Sequence, residues 1–434
     1  MKVAFHTLGC KVNAYETQAI LEQFQENGFT IVDFQDAADV YIVNTCSVTA
    51  EAARKSRQML HRCKKRSADA IVVATGCYAQ EVKEELLRDQ TIDMIVGNNE
   101  KNKLLEAVCS LLQQKKKDPE RILYEDLTHC TVYEEQSISK QGDHVRAYVK
   151  IQDGCDRFCS YCIIPYLRGR SRSRGIEDIR NEVQTLAQNG YKEIVLTGID
   201  LSNYKDGTAL LADIVSLVNE VEGIERVRLS SLEERIITKE FLQKLSSCET
   251  FCPHFHLSLQ SGCDRTLQRM NRHYSAKEFL SAVRLIREYF PDAAITTDVI
   301  VGFPGESREE FEESMRMVSE AAFSELHVFP FSRRKGTKAD QMPDQLTRAE
   351  KESRVASMMA LGGKMQKEYL TSFIGKELAV LVEEEATLDE DVYQIGFSQN
   401  YLKCAIHTTE KLINKIVTFV PKEAEMWNGE LILK

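Results

Sequence analysis

Strand-like and helix-like segments alternate along most of this 434-residue chain, and that alternation limits the fold more than any other feature. The strand candidates of the N-terminal part are residues 3–8, 40–45, 71–75 and 94–96. Helical patterns lie between them, as is typical of a parallel sheet. The run Asn13-Ala-Tyr-Glu16 predicts a capping box that opens the first helix, and Gly28 predicts its end. We therefore predict an α/β fold that begins with an open parallel sheet domain, residues 1–114.

The central part repeats the same alternation. Its strand candidates are residues 145–151, 193–197, 226–230, 254–259, 294–301 and 326–329. Amphipathic helical patterns separate these strands, and the clearest of them covers residues 176–189 and ends at Gly190. Six such repeats predict a partial (β/α)6 barrel over residues 143–372, with its active site at the carboxyl ends of the strands. The polar residues 115–142 before it are predicted to be a linker.

A third part follows a long helical pattern that covers residues 346–372. Its strand candidates are short and lie at residues 375–382, 392–395, 401–406 and 416–420. Short strands without intervening helices predict a small β-barrel over residues 373–434.

Three cysteines within eight residues, Cys155, Cys159 and Cys162, form the most specific chemical motif. A structural zinc site normally has four protein ligands, which this loop does not supply. Three thiolates can instead hold three irons of a cubane cluster and leave the fourth iron open to a small ligand. The spacing predicts an iron–sulfur cluster of this kind, and the alternatives are a structural zinc site or chance.

A second cysteine set is dispersed in sequence. Cys10, Cys46 and Cys77 each follow a predicted strand of the N-terminal sheet. Because the carboxyl ends of parallel strands face one crevice, these thiols are expected to converge and to form a second cluster with an open iron. The alternative is that each is a small buried apolar residue. Packing or incidental roles are predicted for the remaining cysteines: Cys63, Cys109, Cys130, Cys248, Cys252, Cys263 and Cys404.

The net charge of −10 argues against binding of a polyanion over the whole surface, so nucleic-acid contact requires a local basic patch. Four arginines alternate with other residues at Arg168, Arg170, Arg172 and Arg174. On an extended segment all four would lie on one side and could follow a phosphate backbone. The alternative is a solvated loop whose arginines pair with carboxylates.

Cysteine usage and the absence of targeting patterns indicate the compartment. The chain has thirteen cysteines, and several of them are clustered. Because a reducing compartment keeps thiols reduced, metal binding is a better explanation for the clustered cysteines than disulfides. The first residues lack the apolar core of a signal peptide, and no apolar stretch approaches the length of a membrane span. A cytoplasmic protein without a membrane partner is expected.

Both cysteine sets lie in longer motifs. These are Thr7-Leu-Gly-Cys10-Lys-Val-Asn, Asn44-Thr-Cys46, Gly76-Cys77, the run from Cys155 to Arg174, His256-Leu-Ser-Leu-Gln-Ser-Gly262, and Asp298-Val-Ile-Val-Gly-Phe-Pro-Gly-Glu306. With them the chain resembles the radical S-adenosylmethionine methylthiotransferases nearly from end to end. Its last 60 or so residues resemble a TRAM domain, a small RNA-binding barrel.

The resemblance implies the cofactors and partners. It implies two 4Fe-4S clusters: one at Cys155, Cys159 and Cys162 that cleaves S-adenosylmethionine, and one at Cys10, Cys46 and Cys77 that holds or donates the transferred sulfur. One S-adenosylmethionine would methylate that sulfur, and another would supply the radical that removes an unactivated hydrogen. The implied partners are tRNA, an electron donor such as flavodoxin or ferredoxin, and a sulfur donor.

The resemblance and the barrel geometry together give candidates for the S-adenosylmethionine pocket. They are Tyr161, Gly198, Asp200, Ser231, Glu233, Gln260 and Asp298. For each of them the alternative is ordinary packing at a strand end. His254 and His256, which alternate along one predicted strand, are predicted to be core histidines with satisfied hydrogen bonds rather than metal ligands.

Two segments favour one branch of the family. Residues 7–17 and 257–267 look most like the branch that modifies carbon 2 of N6-threonylcarbamoyladenosine beside the tRNA anticodon. The alternatives are the same chemistry on isopentenyladenosine in tRNA or on an aspartate of a ribosomal protein. A noncatalytic iron–sulfur protein that binds RNA is disfavoured, because such a protein has no need of an incomplete ligand set.

Overall fold

The computed structural model describes residues 1–114, 121–142, 144–388 and 391–434. Its N-terminal strands are β1 Lys2–Thr7, β2 Thr30–Val32, β3 Val40–Thr45, β4 Ile71–Gly76, β5 Met94–Val96 and β6 Ile122–Leu123. All neighbouring pairs are parallel, in the order β2-β1-β3-β4-β5-β6. The open parallel sheet is confirmed, and β6 shows that part of the expected linker belongs to it. Residues 115–120 of that linker and Asp143 lie outside the described residues.

Helices cover both faces of this sheet. They are α1 Lys11–Glu26, α2 Ala50–Arg66, α3 Cys77–Glu81, α4 Lys83–Arg88 and α5 Leu104–Gln114. Alternate residues of β3 enter separate apolar cores: Val40 and Ile42 pack with α1 and α5, while Tyr41 and Val43 pack with α2. Burial on both faces explains why β3 is apolar at nearly every position.

The start of α1 differs from the prediction. The helix begins at Lys11 with Cys10 as its N-cap, so the capping box at Asn13 is wrong. The buried Asn13 amide instead donates hydrogen bonds to the carbonyls of Leu8, at 2.7 Å, and Thr45, at 3.1 Å. Asn13 thereby ties together the chain segments that carry Cys10 and Cys46.

The central strands are β7 Arg146–Lys150, β8 Gln152–Asp153, β9 Arg172–Ser173, β10 Glu193–Thr197, β11 Lys205–Asp206, β12 Ala209–Leu210, β13 Arg226–Leu229, β14 His254–His256, β15 Ala294–Val301 and β16 Glu325–Pro330. Parallel ladders join β7, β10 and β13, and separately β14, β15 and β16. Parallel bridges from Val227 to Phe251 and from Leu232 to Leu257 connect the two halves. The predicted six-stranded partial barrel is confirmed.

Helices surround the barrel. They are α6 Ile164–Arg168, α7 Ile176–Gln188, α8 Leu211–Asn219, α9 Lys239–Ser246, α10 Asp264–Arg269, α11 Ala276–Tyr289, α12 Arg308–Ala321 and α13 Arg348–Thr371. Capping boxes open α11, α12 and α13. In the described part of the chain, no helix is both long enough and apolar enough to cross a membrane.

The C-terminal strands form a mixed sheet in the order β20-β17-β18-β19-β22-β21. They are β17 Leu378–Leu388, β18 Asp391–Ser398, β19 Lys403–His407, β20 Ile416–Phe419, β21 Ala424–Trp427 and β22 Glu430–Leu433. The sheet docks against the barrel through Arg226 and Arg228. Their guanidinium groups donate hydrogen bonds to the carbonyls of Phe397 and Gln399, each at 2.8 Å.

Candidate metal centres and substrate cavity

The first cysteine set lies at the carboxyl edge of the N-terminal sheet. Cys46 and Cys77 directly follow the adjacent strands β3 and β4, and Cys10 lies just beyond the neighbouring β1. A side chain at Gly9 would lie only 3.1 Å from the Cys46 sulfur, so glycine lets the Cys10 loop approach closely. Burial raises the pKa of Cys46 to about 11, and the nearby thiols of Cys77 and Cys10 act in the same direction. The predicted convergence of these strand ends is therefore present.

The second set lies on the loop between β8 and α6. The left-handed backbone of Phe158, with φ +49°, turns this loop, and the Cys162 N–H donates to the carbonyl of Cys159 at 3.0 Å. Two donors point at sulfur: the Arg157 N–H lies 3.4 Å from Cys155 Sγ, and Arg272 Nη1 lies 3.5 Å from Cys159 Sγ. Burial raises the pKa of Cys162 to about 12. Such donors would favour thiolate character once a metal displaces the protons.

The spacing of the sulfurs distinguishes one metal ion from a cluster. Two thiolates bound to one zinc lie within about 4.6 Å of each other, twice the zinc–sulfur distance. Among the described residues, a set of three ligand atoms that close is formed by His256, Asp298 and His327, and by neither cysteine set. The cysteine sulfurs therefore do not form a closed site for a single ion, and each set supplies the three thiols that a cluster with one open iron requires.

A buried ionic network fixes the two cysteine sets relative to each other. Arg168, at the end of α6, lies 2.9 Å from Glu16 of α1 and 3.1 Å from Asp153 of β8. Lys150 contacts the same two carboxylates at 2.8 and 2.7 Å. Glu16 lies on α1, six residues after Cys10, and α6 directly follows the Cys155 loop. Cys77 also packs against Ile163 and Leu167, so the two cysteine-bearing segments are in contact.

The predicted surface stripe of four arginines is wrong. Arg168, Arg172 and Arg174 are buried, with at most 5% of their surface exposed. Arg172 donates to the carbonyl of Arg168, and Arg174 pairs with Glu135 and Glu182. The segment is internal because α6 ends at Arg168 and β9 pairs with β8.

Arg170 alone among the four has a half-exposed side chain. It lies 3.2 Å from Asp156 and stacks over the ring of Phe158 at 4.8 Å. It remains a candidate for contact with RNA beside the Cys155 loop.

Three of the predicted pocket residues gather beside this loop. Asp200 Oδ2 lies 3.9 Å from Cys155 Sγ, and Glu233 pairs with Arg157 at 2.6 Å. Burial raises the pKa of Asp200 to about 6, and the neighbouring Glu233 acts in the same direction. Tyr161 packs edge-on against Phe303. These side chains place two carboxylates and a phenol beside the second cysteine set.

The other pocket candidates are arranged differently. Gly198 lies against Gln152, whose side chain accepts hydrogen bonds from the next two backbone N–H groups. Gln260 has a left-handed backbone, with φ +66°, and pairs through its main chain with β15. Ser231 lines the interior of the barrel, and Asp298 lies 3.3 Å from His256. The seven candidates therefore do not form one cluster of side chains.

A cavity of about 610 Å³ occupies the barrel interior, between the strands and the C-terminal sheet. The N-terminal domain contributes Lys11, the barrel contributes Arg146 and Arg228, and the C-terminal domain contributes Tyr401. Desolvation lowers the pKa of Lys11 to about 8, and the charges of Arg146 and Arg228 act in the same direction. Tyr401 stacks on His254 and closes one end.

Sequence reasoning missed several of these residues. Arg157 is inside the cysteine motif and Lys11 directly follows Cys10, so both could have been proposed from position alone. Arg272, which contacts Cys159 and Glu233, has no local pattern that marks it. The prediction of core histidines holds only in part. His254 is buried and its Nε2 lies 3.2 Å from Thr296 Oγ1, but its Nδ1 has no hydrogen-bond partner. The ring nitrogens of His256 contact Thr296 and Asp298.

Comparison with known proteins identifies the family. The radical SAM superfamily model matches residues 149–318, and the model of the uncharacterized protein family UPF0004 matches residues 2–97. A threonylcarbamoyladenosine tRNA methylthiotransferase of Bacillus subtilis is 40% identical over 96% of this chain and 92% of its own. The Aquifex aeolicus protein of the same name is 41% identical over 91% of this chain and 95% of its own. The chain belongs to the radical S-adenosylmethionine methylthiotransferase family.

Both cysteine sets lie within the regions that the family models match. The radical SAM match contains Cys155, Cys159 and Cys162, and the family implies a 4Fe-4S cluster and S-adenosylmethionine. The UPF0004 match contains Cys10, Cys46 and Cys77. A tRNA-2-methylthio-N(6)-dimethylallyladenosine synthase of Acetivibrio thermocellus is 31% identical over 98% of this chain and 89% of its own.

Solved structures agree on the fold of this methylthiotransferase. The radical S-adenosylmethionine methyltransferase TsrM from Kitasatospora setae matches with a TM-score of 0.59. The match covers 78% of this chain and 77% of that chain at 14% identity, so it concerns the fold alone.

Proposed function

We propose that this enzyme adds a methylthio group to carbon 2 of N6-threonylcarbamoyladenosine, next to the anticodon of tRNA. The observation that carries the proposal is the pair of open cysteine sets on segments locked together through Glu16 and Arg168. Relatives named for threonylcarbamoyladenosine are 36–41% identical to this chain, against 31–34% for those named for dimethylallyladenosine. The difference in identity supports the first substrate.

Two 4Fe-4S clusters are part of the proposal. Cys155, Cys159 and Cys162 would hold one, and Cys10, Cys46 and Cys77 would hold the other. When bound, the first would supply the electron that cleaves S-adenosylmethionine at its open iron, and the second would hold or donate the transferred sulfur. The open sulfur spacing and the three-ligand sets support this assignment.

The protein's own residues would position the reactants. Arg157 and Arg272 present guanidinium groups, and Asp200 and Glu233 present carboxylates, beside the Cys155 loop. These charges suit the carboxylate and amino group of the methionine part of S-adenosylmethionine. Tyr161 would contribute to the adenine pocket, with backbone groups near Gly198 and Gln260. The network through Arg168 would keep the two sulfur-bearing segments at a fixed separation.

The partners and boundaries follow from the same proposal. The domains would be residues 1–114 together with strand β6, residues 143–372 and residues 373–434, with tRNA bound by the C-terminal domain and by Arg170. A cytoplasmic enzyme of this kind would need a flavodoxin or ferredoxin as electron donor and a separate sulfur donor for repeated turnover.

A comparison of three substrates tests the proposal. Reconstituted enzyme, S-adenosylmethionine and a strong reductant would be incubated anaerobically with tRNA bearing threonylcarbamoyladenosine, tRNA bearing isopentenyladenosine, or the ribosomal protein. Mass spectrometry should detect a methylthio adduct on the first. An adduct only on another substrate would change the substrate assignment. Failure to cleave S-adenosylmethionine at all would favour a noncatalytic RNA-binding protein.

A further inference from the structure

The barrel cavity contains a positive charge that the protein itself does not neutralise. Arg146 pairs with Glu383 at 2.7 Å, and Arg228 pairs with Glu193 at 2.8 Å. The Lys11 ammonium has no ion pair or hydrogen bond with any residue in the described ranges, although its side chain lines the cavity. The Lys11 side chain is exposed, so its ammonium group is open to an anionic group of a ligand that enters the cavity.

Two further polar groups of the cavity lack partners. Ser230 and His254 line the cavity and are each 7% exposed, and Ser230 Oγ and His254 Nδ1 are buried without a hydrogen bond. The other ring nitrogen of His254 lies 3.2 Å from Thr296 Oγ1, which holds the imidazole in place. Buried polar atoms are normally hydrogen-bonded, so these two mark positions where a ligand could complete the bonding.

The cavity is therefore suited to an anion that also carries hydrogen-bonding groups. Glu325 and Glu430 add carboxylates to the lining, and Glu430 pairs with Lys403, so the unpaired positive charge is local to Lys11. A threonylcarbamoyl substituent carries a carboxylate, a hydroxyl group and amide groups. A dimethylallyl substituent is apolar and would leave Lys11, Ser230 and His254 without partners.

We propose that Lys11 binds the carboxylate of the threonylcarbamoyl group, with Ser230 and His254 bonding its polar atoms, and that this contact selects the substrate. The inference rests on the proposed function and adds the residue that would distinguish the two tRNA substrates. Lys11 directly follows Cys10, so the ammonium group and the sulfur-bearing segment would approach the same nucleoside from one end of α1.

The test compares Lys11→Met, which removes the charge, with Lys11→Arg, which keeps it. On tRNA bearing threonylcarbamoyladenosine, Lys11→Met should lower kcat/KM at least about 30-fold, the lower end for loss of one partner from a charge pair that the bound ligand would bury. Lys11→Arg should recover most of that loss. Lys277→Met, at an exposed position of α11, is the matched control and should behave like the wild type. Iron content and deoxyadenosine formation should be unchanged in all three variants.

A second measurement uses the wild-type enzyme and alters the substrate. Conversion of the threonyl carboxylate to a carboxamide should lower kcat/KM of the wild type by a factor similar to that of the Lys11→Met substitution. The same change of substrate should lower kcat/KM of Lys11→Met only slightly further. Equal activity of the wild type on carboxylate and carboxamide would overturn the inference and leave the proposed function intact. The inference would also be overturned if Lys11→Met lowered kcat/KM by less than about threefold. It would be overturned too if the variant lost affinity for tRNA bearing dimethylallyladenosine by the same factor as for tRNA bearing threonylcarbamoyladenosine. Absence of any wild-type product on threonylcarbamoyladenosine would overturn the proposed function and the inference with it.

Discussion

Arg168 connects the two halves of the site through one side chain. Its guanidinium group contacts Glu16, Asp153 and the side-chain oxygen of Asn13, the last at 2.7 Å. These carboxylates hold its pKa well above the usual arginine value, against the effect of burial. A local pattern of alternating arginines cannot reveal this role, because the partners lie on α1 and β8. The sequence predicted a phosphate-binding arginine, whereas the structure has an internal one.

Replacement of Arg168 should therefore destabilise the protein strongly. Arg168→Met leaves two buried carboxylates with fewer cations, and we expect a loss of about 3–5 kcal/mol in the free energy of unfolding. Arg170→Met removes a half-exposed arginine and should change stability by no more than about 0.5 kcal/mol. Urea denaturation of both variants under anaerobic conditions measures the difference. Equal stability of the two would contradict the role assigned to Arg168.

His254 gives the folded protein a sensitivity to acid. Burial lowers the pKa of His254 well below its usual value, and the nearby charges of Arg228, His256 and Lys11 act in the same direction. The unfolded chain therefore binds a proton near pH 6.5 that the folded chain does not, so stability falls as pH drops below that value. Each pH unit within this range costs up to about 1.4 kcal/mol.

The His254→Gln variant isolates this contribution. Its melting temperature should fall less than that of the wild type between pH 7 and pH 5, since glutamine does not titrate. Thermal melting at matched pH values, read as the difference between the two proteins, provides the measurement. Parallel decreases in both proteins would show that His254 is not responsible.

At the scale of elements, sequence periodicity located the strands and most helices correctly. The six barrel strands lie within a few residues of their predicted ranges, because each is an apolar run bounded by turn residues and helices. The short strands β2, β6, β8, β9, β11 and β12 and the final strands β21 and β22 were missed. A strand of two to four residues is defined by its partner across the sheet rather than by its own pattern. The start of α1 was misplaced because Asn13 makes tertiary instead of capping hydrogen bonds.

The positions of site residues that directly follow strands could be predicted from the sequence. The contacts of site residues on loops could not. Cys10, Cys46 and Cys77 could be brought together from topology, since β1, β3 and β4 are neighbours in a parallel sheet. Arg272 is more than 35 residues away in sequence from both of its partners, Cys159 and Glu233. These contacts form because the loop after α10 packs against the Cys155 loop. The unpaired state of Lys11 likewise depends on what surrounds it in three dimensions.

At the scale of the whole molecule, residues from all three parts of the chain surround one cavity. The N-terminal domain supplies Lys11, the barrel supplies Arg146 and Arg228, and the C-terminal sheet supplies Tyr401, which stacks on His254. Cys10 directly precedes Lys11 of this cavity, and Arg168, which follows the Cys155 loop, is tied to the same helix α1 through Glu16. We propose that the two cysteine sets have separate roles in one reaction.

The most direct test measures both products of a single anaerobic incubation with tRNA bearing threonylcarbamoyladenosine. Cys46→Ala should still form deoxyadenosine but no methylthio nucleoside, and Cys159→Ala should form neither. Cys109→Ala, at a half-buried cysteine of α5, should form both and serves as the control. Separate loss of the two products is the predicted result. Methylthio nucleoside from Cys46→Ala at the wild-type level, or deoxyadenosine from Cys159→Ala, would contradict the division of roles.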